Sequence, residues 1–314
     1  MKTNRFTENI GQRDDTRYVL DSQNISGTMN VYEISPGVEM IYQKFDCISE
    51  INSDLSNPNA GNTEIVELSY CKAGRFEYEC LNGRYLYLGA RDFNIELPGD
   101  EFRLIGFPLK YYEGISIYLY PEMMQHRLPS SMQAINFDFY SFKKKFCNQN
   151  HFVLRNNSRI NEIFTAFYSI PEEIKRPYMK VKLQELLLLL HASEGKQEPS
   201  SEEYFVKSKV DKIKDIKELI VKNPKRRYTI DELAQKYKLS PTGLKNCFKG
   251  VYGVTMAEYM KQYRMQLTAN LLKNTKRPVS DIAAEAGYEN QSKFAAAFKE
   301  VMGVSPLEYR KTIV

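Results

Sequence analysis

Two short clusters of side chains in the last third of the sequence could read an ordered array of hydrogen-bonding groups. Thr242, Lys245, Asn246 and Lys249 make the first, and Gln291, Ser292, Ala295, Ala296 and Lys299 the second. In a helix, residues at these spacings share one side. That side is short, polar and basic, the character of a helix face that enters the major groove of duplex DNA. A lysine ammonium there can reach the acceptors of guanine, and Asn or Gln can pair with adenine.

An internal repeat places the clusters. Leu233-Ala234 recurs as Ile282-Ala283, and Leu244, Phe248 and Val251 recur as Phe294, Phe298 and Val301. Gly253-Val254-Thr255 recurs as Gly303-Val304-Ser305. The offset changes from 49 to 50 across the turn, so the second copy has one extra residue there. Each copy reads as two short helices around a tight turn. Thr229 and Glu232 form a capping box for a helix ending near Tyr237. Lys238-Leu239 makes the turn, and Ser240 caps the next helix with Pro241 at its first position. In the second copy Asp281 opens a helix, Gly287 supplies the turn and a helix follows from about Asn290 to Met302. Thr255 with Glu258 and Ser305 with Glu308 are further capping boxes, each after a glycine that ends the preceding helix.

Small residues at the helix crossings (Ala234, Ala283, Ala284) permit close packing, and the i, i+4, i+7 apolar triplets face inward. Between the copies, Met256 to about Asn274 reads as one helix, with Tyr259, Tyr263, Leu267 and Leu271 as its buried stripe. Such a helix is roughly 30 Å long at 1.5 Å per residue, close to the roughly 34 Å of one DNA turn. Two outward faces that far apart can meet successive major grooves. Charge agrees with this reading: Tyr204 to Val314 carries 22 Lys and Arg against 11 Asp and Glu, a net +11, while the rest of the chain is net −6. A basic third joined to a mildly acidic two thirds is the electrostatic footprint of a nucleic-acid-binding domain on a non-binding one.

From about Val210 to Arg310 the sequence resembles the AraC/XylS family of bacterial transcription regulators. Leu239-Ser240-Pro241 before Leu244 and Phe248, Asp281-Ile282-Ala283 before Gly287-Tyr288, and above all Gly303-Val304-Ser305-Pro306-Leu307-Glu308-Tyr309-Arg310 carry the resemblance. It implies base contacts at Thr242, Lys245, Asn246, Gln291, Ser292, Ala295 and Ala296. The two alanines depart from the polar or basic residues usual in the family. Ser240, Lys249, Asn290, Lys293 and Lys299 are expected at backbone phosphates. The implied activity is transcription regulation, more in keeping with activation than repression, with RNA polymerase as a further partner.

Upstream, strands are expected between about Asn62 and Leu119. Phe76, Tyr78 and Cys80 alternate with Glu77 and Glu79, and Asn82-Gly83 makes a hairpin turn into Tyr85–Leu88. Phe93–Leu97 and Ile115–Leu119 alternate likewise, the first stopped by Pro98-Gly99-Asp100. An antiparallel barrel or sandwich follows from such spacing. The resemblance, carried more loosely here by Gly74-Arg75-Phe76-Glu77 and Tyr112-Glu113-Gly114-Ile115, makes it a cupin-like barrel followed by dimerising helices. The fold class expected is thus α+β: a β-barrel domain with following helices over 1–198, β-rich to about 120, and an all-α DNA-binding domain over 204–314. Glu194–Glu203, polar with Gly195 and Pro199, is the linker.

After Pro121 the pattern turns helical, with Ile160, Ile163, Phe164 and Phe167 at helical spacing. Val181 to His191 is apolar over most of a helix circumference. It fits either packing on the β domain or a homodimer contact through Leu183, Leu186, Leu187 and Leu190, and the dimer contact is carried forward. Eleven tyrosines before residue 126 could line a barrel that holds a small-molecule effector.

Enzyme readings find little support. A cupin metal centre needs histidines on its strands, and none occurs before His126. A DNA-repair transferase fused to the same kind of domain needs an activated cysteine, and no cysteine here sits in such a motif. No cofactor or metal is expected. Five cysteines without a C-x-x-C pair fit reduced thiols in a cytoplasmic protein. The polar N-terminus and the short longest apolar run, Leu186–Leu190, argue against secretion and membrane insertion.

Overall fold

The computed structural model describes residues 5–9, 15–21, 25–47, 64–80, 83–97, 102–124, 126–147, 151–195 and 205–311. They fall into two units, Met1–Tyr204 and Phe205–Val314. In the first, the described strands are β1 Arg5–Asn9, β2 Asp15–Asp21, β3 Ile25–Ser35, β4 Val38–Cys47, β5 Val66–Cys80 and β6 Arg84–Gly89. They continue with β7 Asp92–Glu96, β8 Phe102–Gly106, β9 Tyr111–Leu119 and β10 His151–Arg155. The pairings are antiparallel throughout.

β5 organises this unit. Its first half lies between β9 and β7, with Glu67 opposite both Tyr118 and Glu96. A register shift between Cys71 and Ala73 bends the strand, and its second half pairs with β6 and β8. From β9 the first sheet continues through β4, β3 and β2 to β1, and on the other side through β7 to β10. The fold is an antiparallel double sheet sharing one strand. Among the described residues no ladder joins β1 to β10, so the expected barrel is open.

The alternating residues give β5 and β6 their register, with Phe76 opposite Leu88 and Tyr78 opposite Leu86. Gly83 turns the hairpin at φ +70°, a conformation that costs glycine nothing. Asn82, Pro98-Gly99-Asp100 and most of the expected linker lie outside the described residues. Two sets of strands escaped the sequence reading. Strands β1–β4 precede the expected region, and β10 returns to pair with β7 from within the stretch read as helical.

Helices α1 Pro121–Met124, α2 Ser130–Gln133, α3 Phe139–Phe146, α4 Ser158–Phe167 and α5 Lys175–Ala192 complete the unit. Leu68, Tyr70, Phe93, Ile95, Ile115, Ile117 and Leu119 cover one face of the first sheet and share a core with α4 and α5. Tyr70 stacks on Phe164 with ring centroids 4.4 Å apart. This settles the leucine segment. Leu183, Leu186, Leu187 and Leu190 are buried in this chain's own core, so the expected dimer contact at these four residues is corrected. A side chain fully packed inside one chain has no surface left for another. The face of α5 left outside runs through Val181, which is 60% exposed.

The second unit is helical: α6 Lys207–Lys222, α7 Ile230–Tyr237, α8 Pro241–Tyr252, α9 Met256–Asn274, α10 Val279–Glu285, α11 Gln291–Met302 and α12 Pro306–Lys311. All five cysteines of the chain are buried free thiols. Among the described residues no helix is long and apolar enough to cross a membrane.

Candidate nucleic-acid interface

Each half of the helical unit is built by local signals. Thr229 accepts a hydrogen bond from the Glu232 N–H at 3.1 Å and starts α7. The Glu232 carboxylate does not return to complete the capping box; it pairs with Arg226 instead. α7 ends at Lys238, whose φ of +52° is left-handed, and the Leu239 N–H donates to the Ala234 carbonyl at 2.9 Å. Ser240 caps α8 through the Gly243 N–H at 3.1 Å. In the second half Gly287 takes the place of Lys238 at φ +78°, and Tyr288 donates to Ala283 at 3.0 Å. Asn290 caps α11 through the Lys293 N–H at 3.0 Å. The two turns superpose at an offset of 49 and the two caps at 50, so the extra residue is Glu289.

Burial separates the faces of α8 and α11. Leu244, Phe248 and Val251 are fully buried, as are Phe294 and Phe298, while Val301 is only half-buried. Thr242, Lys245, Asn246 and Lys249 are exposed on α8, and Gln291, Ser292, Lys293, Ala296 and Lys299 on α11. Ala295 is half-buried, so its methyl is partly withdrawn from the outer face. Among the described residues no ion pair engages Lys245, Lys249, Lys293 or Lys299. Ser240 and Asn290, expected at phosphates, spend their side-chain oxygens as caps. What they leave facing outward is the positive end of each helix, where first-turn N–H groups can receive an anion.

Two sequence expectations need correction. Ala284 is exposed, and the small buried residue beside Ala283 is Ala286, because α10 rolls its second alanine outward. On α9 the fully buried residues are Met260, Met265, Thr268, Ala269 and Leu272; Tyr259, Tyr263, Leu267 and Leu271 are half-buried. A helix gripped on both sides cannot confine its burial to one stripe. α9 contacts α6 and α8 on the first half and α10, α11 and α12 on the second.

Two arginines to which the sequence reading gave no role hold the approaches to the helix pairs. Arg264, half-buried on α9, donates to the Pro224 carbonyl at 2.7 Å and to that of Arg226 at 3.4 Å, fixing the loop before α7. Burial lowers its pKa from the usual arginine value. Arg310 on α12 donates to the Arg277 carbonyl at 2.7 Å, fixing the loop before α10. The available signal was an arginine adjoining an apolar helix stripe, which marks a charge held against a neighbouring backbone.

With this geometry in place, the comparisons with known proteins are specific. A family described as a helix-turn-helix domain matches residues 233–312. The regulatory protein SoxS of Salmonella typhimurium is 37% identical over 81 residues, 26% of this chain and 76% of that protein. An AraC-like transcription regulator of Streptomyces antibioticus is 36% identical over 90 residues, 29% of this chain and 30% of that protein. The melibiose operon regulatory protein of Escherichia coli is 33% identical over 92 residues, again 29% and 30%. The chain thus spans under a third of the length of these two longer relatives, but three quarters of SoxS. On that shared helix-turn-helix architecture, the chain belongs to the AraC/XylS family of transcription regulators.

Proposed function

We propose that the chain is a sequence-specific, duplex-DNA-binding transcription regulator, with α8 and α11 as its recognition helices in successive major grooves. The observation that carries this reading is the pair of matched helix-turn-helix units on a single 19-residue helix, each with a polar, basic outer face. At 1.5 Å per residue α9 is about 28 Å long, which suits half-sites about one DNA turn apart. Thr242, Lys245, Asn246, Gln291, Ser292 and Ala296 read base edges, with Ala295 at the margin. Lys249, Lys293 and Lys299 hold phosphates, joined by the capped helix starts at Ser240 and Asn290. The N-terminal unit receives a small-molecule effector, and the active species is a cytoplasmic homodimer that activates transcription with RNA polymerase.

Binding-site selection with the full chain tests the core of this reading. The expected result is a motif of two blocks centred about one turn, 10 base pairs, apart. Affinity should fall steeply with salt, with a log–log slope near −0.9 for each phosphate neutralised. Failure to enrich any sequence, together with a flat salt response, would overturn it.

A further inference from the structure

The N-terminal double sheet buries an unusual set of residues on the side of β5, β7 and β9 away from the helices. Glu67 is 5% exposed, Ser69 3%, Asn94 0%, Glu96 6%, Ser116 4% and Tyr118 6%. They form a grid. Tyr118, Glu67 and Glu96 stand side by side on three neighbouring strands, and Ser116, Ser69 and Asn94 occupy the next rung on the same face. A sheet interior is ordinarily apolar, as this sheet's other face is, because each polar group taken from water must find a partner.

Two of these groups find none. Ser69 Oγ and Asn94 Oδ1 are buried without a hydrogen-bond partner, and they lie directly opposite each other. The adjoining carboxylates meet only neutral donors and each other, with Tyr118 hydrogen-bonded to Glu67. Glu96 accepts from Tyr78 Oη at 3.1 Å and from Asn94 Nδ2 at 2.9 Å, and it is hydrogen-bonded to Glu67. Two carboxyl groups can bond to each other only while one keeps a proton. Burial and the neighbouring Glu67 accordingly push Glu96 up to about 8. The groups that face Glu96 are Glu67 and Tyr78 from β5 and Asn94 from its own strand; Tyr112 and Tyr118 of β9 and Cys147 after α3 feel its charge. None of these is cationic.

We propose that the Glu67–Glu96 and Ser69–Asn94 rungs receive the head group of a small organic cation, a primary ammonium or a guanidinium. This deepens the effector reading above and rests on it for its regulatory meaning. An ammonium brings three donors and no acceptor, and a guanidinium five donors, matching Glu67, Glu96 and the idle Asn94 Oδ1. Tyr78, which bonds to Glu96, packs edge-on against Phe76, and Phe76 against Tyr112, so aromatic rings of the kind that attract a cation adjoin the grid. The proton balance is simple: the cation enters, the proton held between the carboxyls leaves to solvent, and the net charge of the site is unchanged. A neutral polyol would leave that proton in place.

The test uses the full chain with tyramine, agmatine and spermidine as cationic probes, glucose as a neutral probe and benzoate as an anionic one. Thermal melting and calorimetry should show binding of at least one cation and neither control. Since proton and cation compete, Kd should weaken about tenfold per pH unit below pH 8, with one proton released per ligand. Glu67→Gln and Glu96→Gln should each weaken binding at least about tenfold. Ser69→Ala, which removes an unpartnered hydroxyl and is safe for the fold, should weaken it about threefold. Stabilisation by glucose or benzoate, unchanged affinity in both glutamine variants, or no response to any cation at about 10 mM would overturn the proposal. DNA binding by the same preparation is read in parallel. Retained DNA binding without a cation response removes only this site, whereas loss of DNA binding removes the functional reading itself.

Discussion

Tyr259 stands edge-on against Phe248, with ring centroids 5.7 Å apart and planes at 78°. Fifty residues on, Tyr309 meets Phe298 in the same way, at 5.5 Å and 76°. The repeat therefore extends beyond the two helices of each helix-turn-helix to the first turn of the helix that follows. In both copies that turn is capped by a hydroxyl, Thr255 or Ser305, and carries a tyrosine that packs against the preceding helix, α8 or α11. An edge-to-face pair contributes about 0.5–1.5 kcal/mol beyond its buried area. It also fixes the roll of α8 and α11, and with it which side chains point outward.

Base discrimination should lie mainly with α8. Lys245→Ala or Asn246→Ala should lower the ratio of operator to random-DNA affinity by about 1–3 kcal/mol. Lys299→Ala should weaken both equally and make the salt slope shallower by about one. Binding-site selection with each variant decides the matter. If Gln291→Ala relaxes the motif more than either α8 variant, the roles are reversed.

Gly250 should resist a substitution that helix propensity favours. It lies within α8, where alanine is worth about 1 kcal/mol over glycine. A Cβ added there would come within 2.0 Å of the Phe205 ring. Overpacking of this kind costs about 1–3 kcal/mol. Gly250→Ala should thus destabilise the protein in urea denaturation, and the sign should reverse in a Phe205→Ala background. Additive effects in that cycle would contradict the contact.

The leucines of α5 give a clear contrast. Leu187→Asp should unfold the N-terminal unit, since it buries a charge in the core, with a loss of circular dichroism and of the melting transition. Val181→Asp, on the outer face of the same helix, should leave the fold intact. If α5 pairs with a second copy, sedimentation of the Val181→Asp variant should report monomers. Folded, monomeric Leu187→Asp would show that the core assignment is wrong.

Asp138 should give a small acid-side dependence of stability. It caps α3 by accepting from the Ser141 N–H at 2.7 Å, and that bond holds its pKa below the usual aspartate value. A depressed pKa stabilises the fold above the unfolded value, near about 4, and the contribution is lost as pH falls through the folded value. Asparagine caps equally well without titrating. The stability difference between wild type and Asp138→Asn should therefore be flat above about pH 5 and shift against wild type on acidification. No change between pH 6 and 3, followed by urea denaturation, would rule out this role.

The helical unit was readable in the sequence because its signals are local. Thr229, Ser240, Asn290 and Ser305 each announce a helix start within four residues, and the apolar spacing names the buried face. Failures came where a neighbour decides: the exposure of Ala284 and the two-sided burial of α9 depend on which helices press from outside. In the N-terminal unit the pairings are non-local. Nothing near His151–Arg155 says that β7, some sixty residues earlier, is its partner. The leucines of α5 could not be assigned from periodicity, because a helix apolar all round looks the same whether a sheet or a second protein covers it. Glu96 reads as an ordinary alternating polar residue, and Glu67 carries no signal of its own, until the second sheet is placed over them.

The length of α9 carries a constraint that side chains alone do not express. A helix turns about 100° per residue, so this connector sets the rotational phase of α11 against α8 as well as their separation. Deleting one residue would swing Gln291 and Ser292 about 100° away from the side that Lys245 and Asn246 address. Adding seven would nearly restore the phase but lengthen the connector by about 10 Å, a third of a DNA turn. No nearby length keeps both quantities. On the proposed reading, the count of nineteen residues in α9 is therefore held more tightly than the identity of most of its exposed side chains.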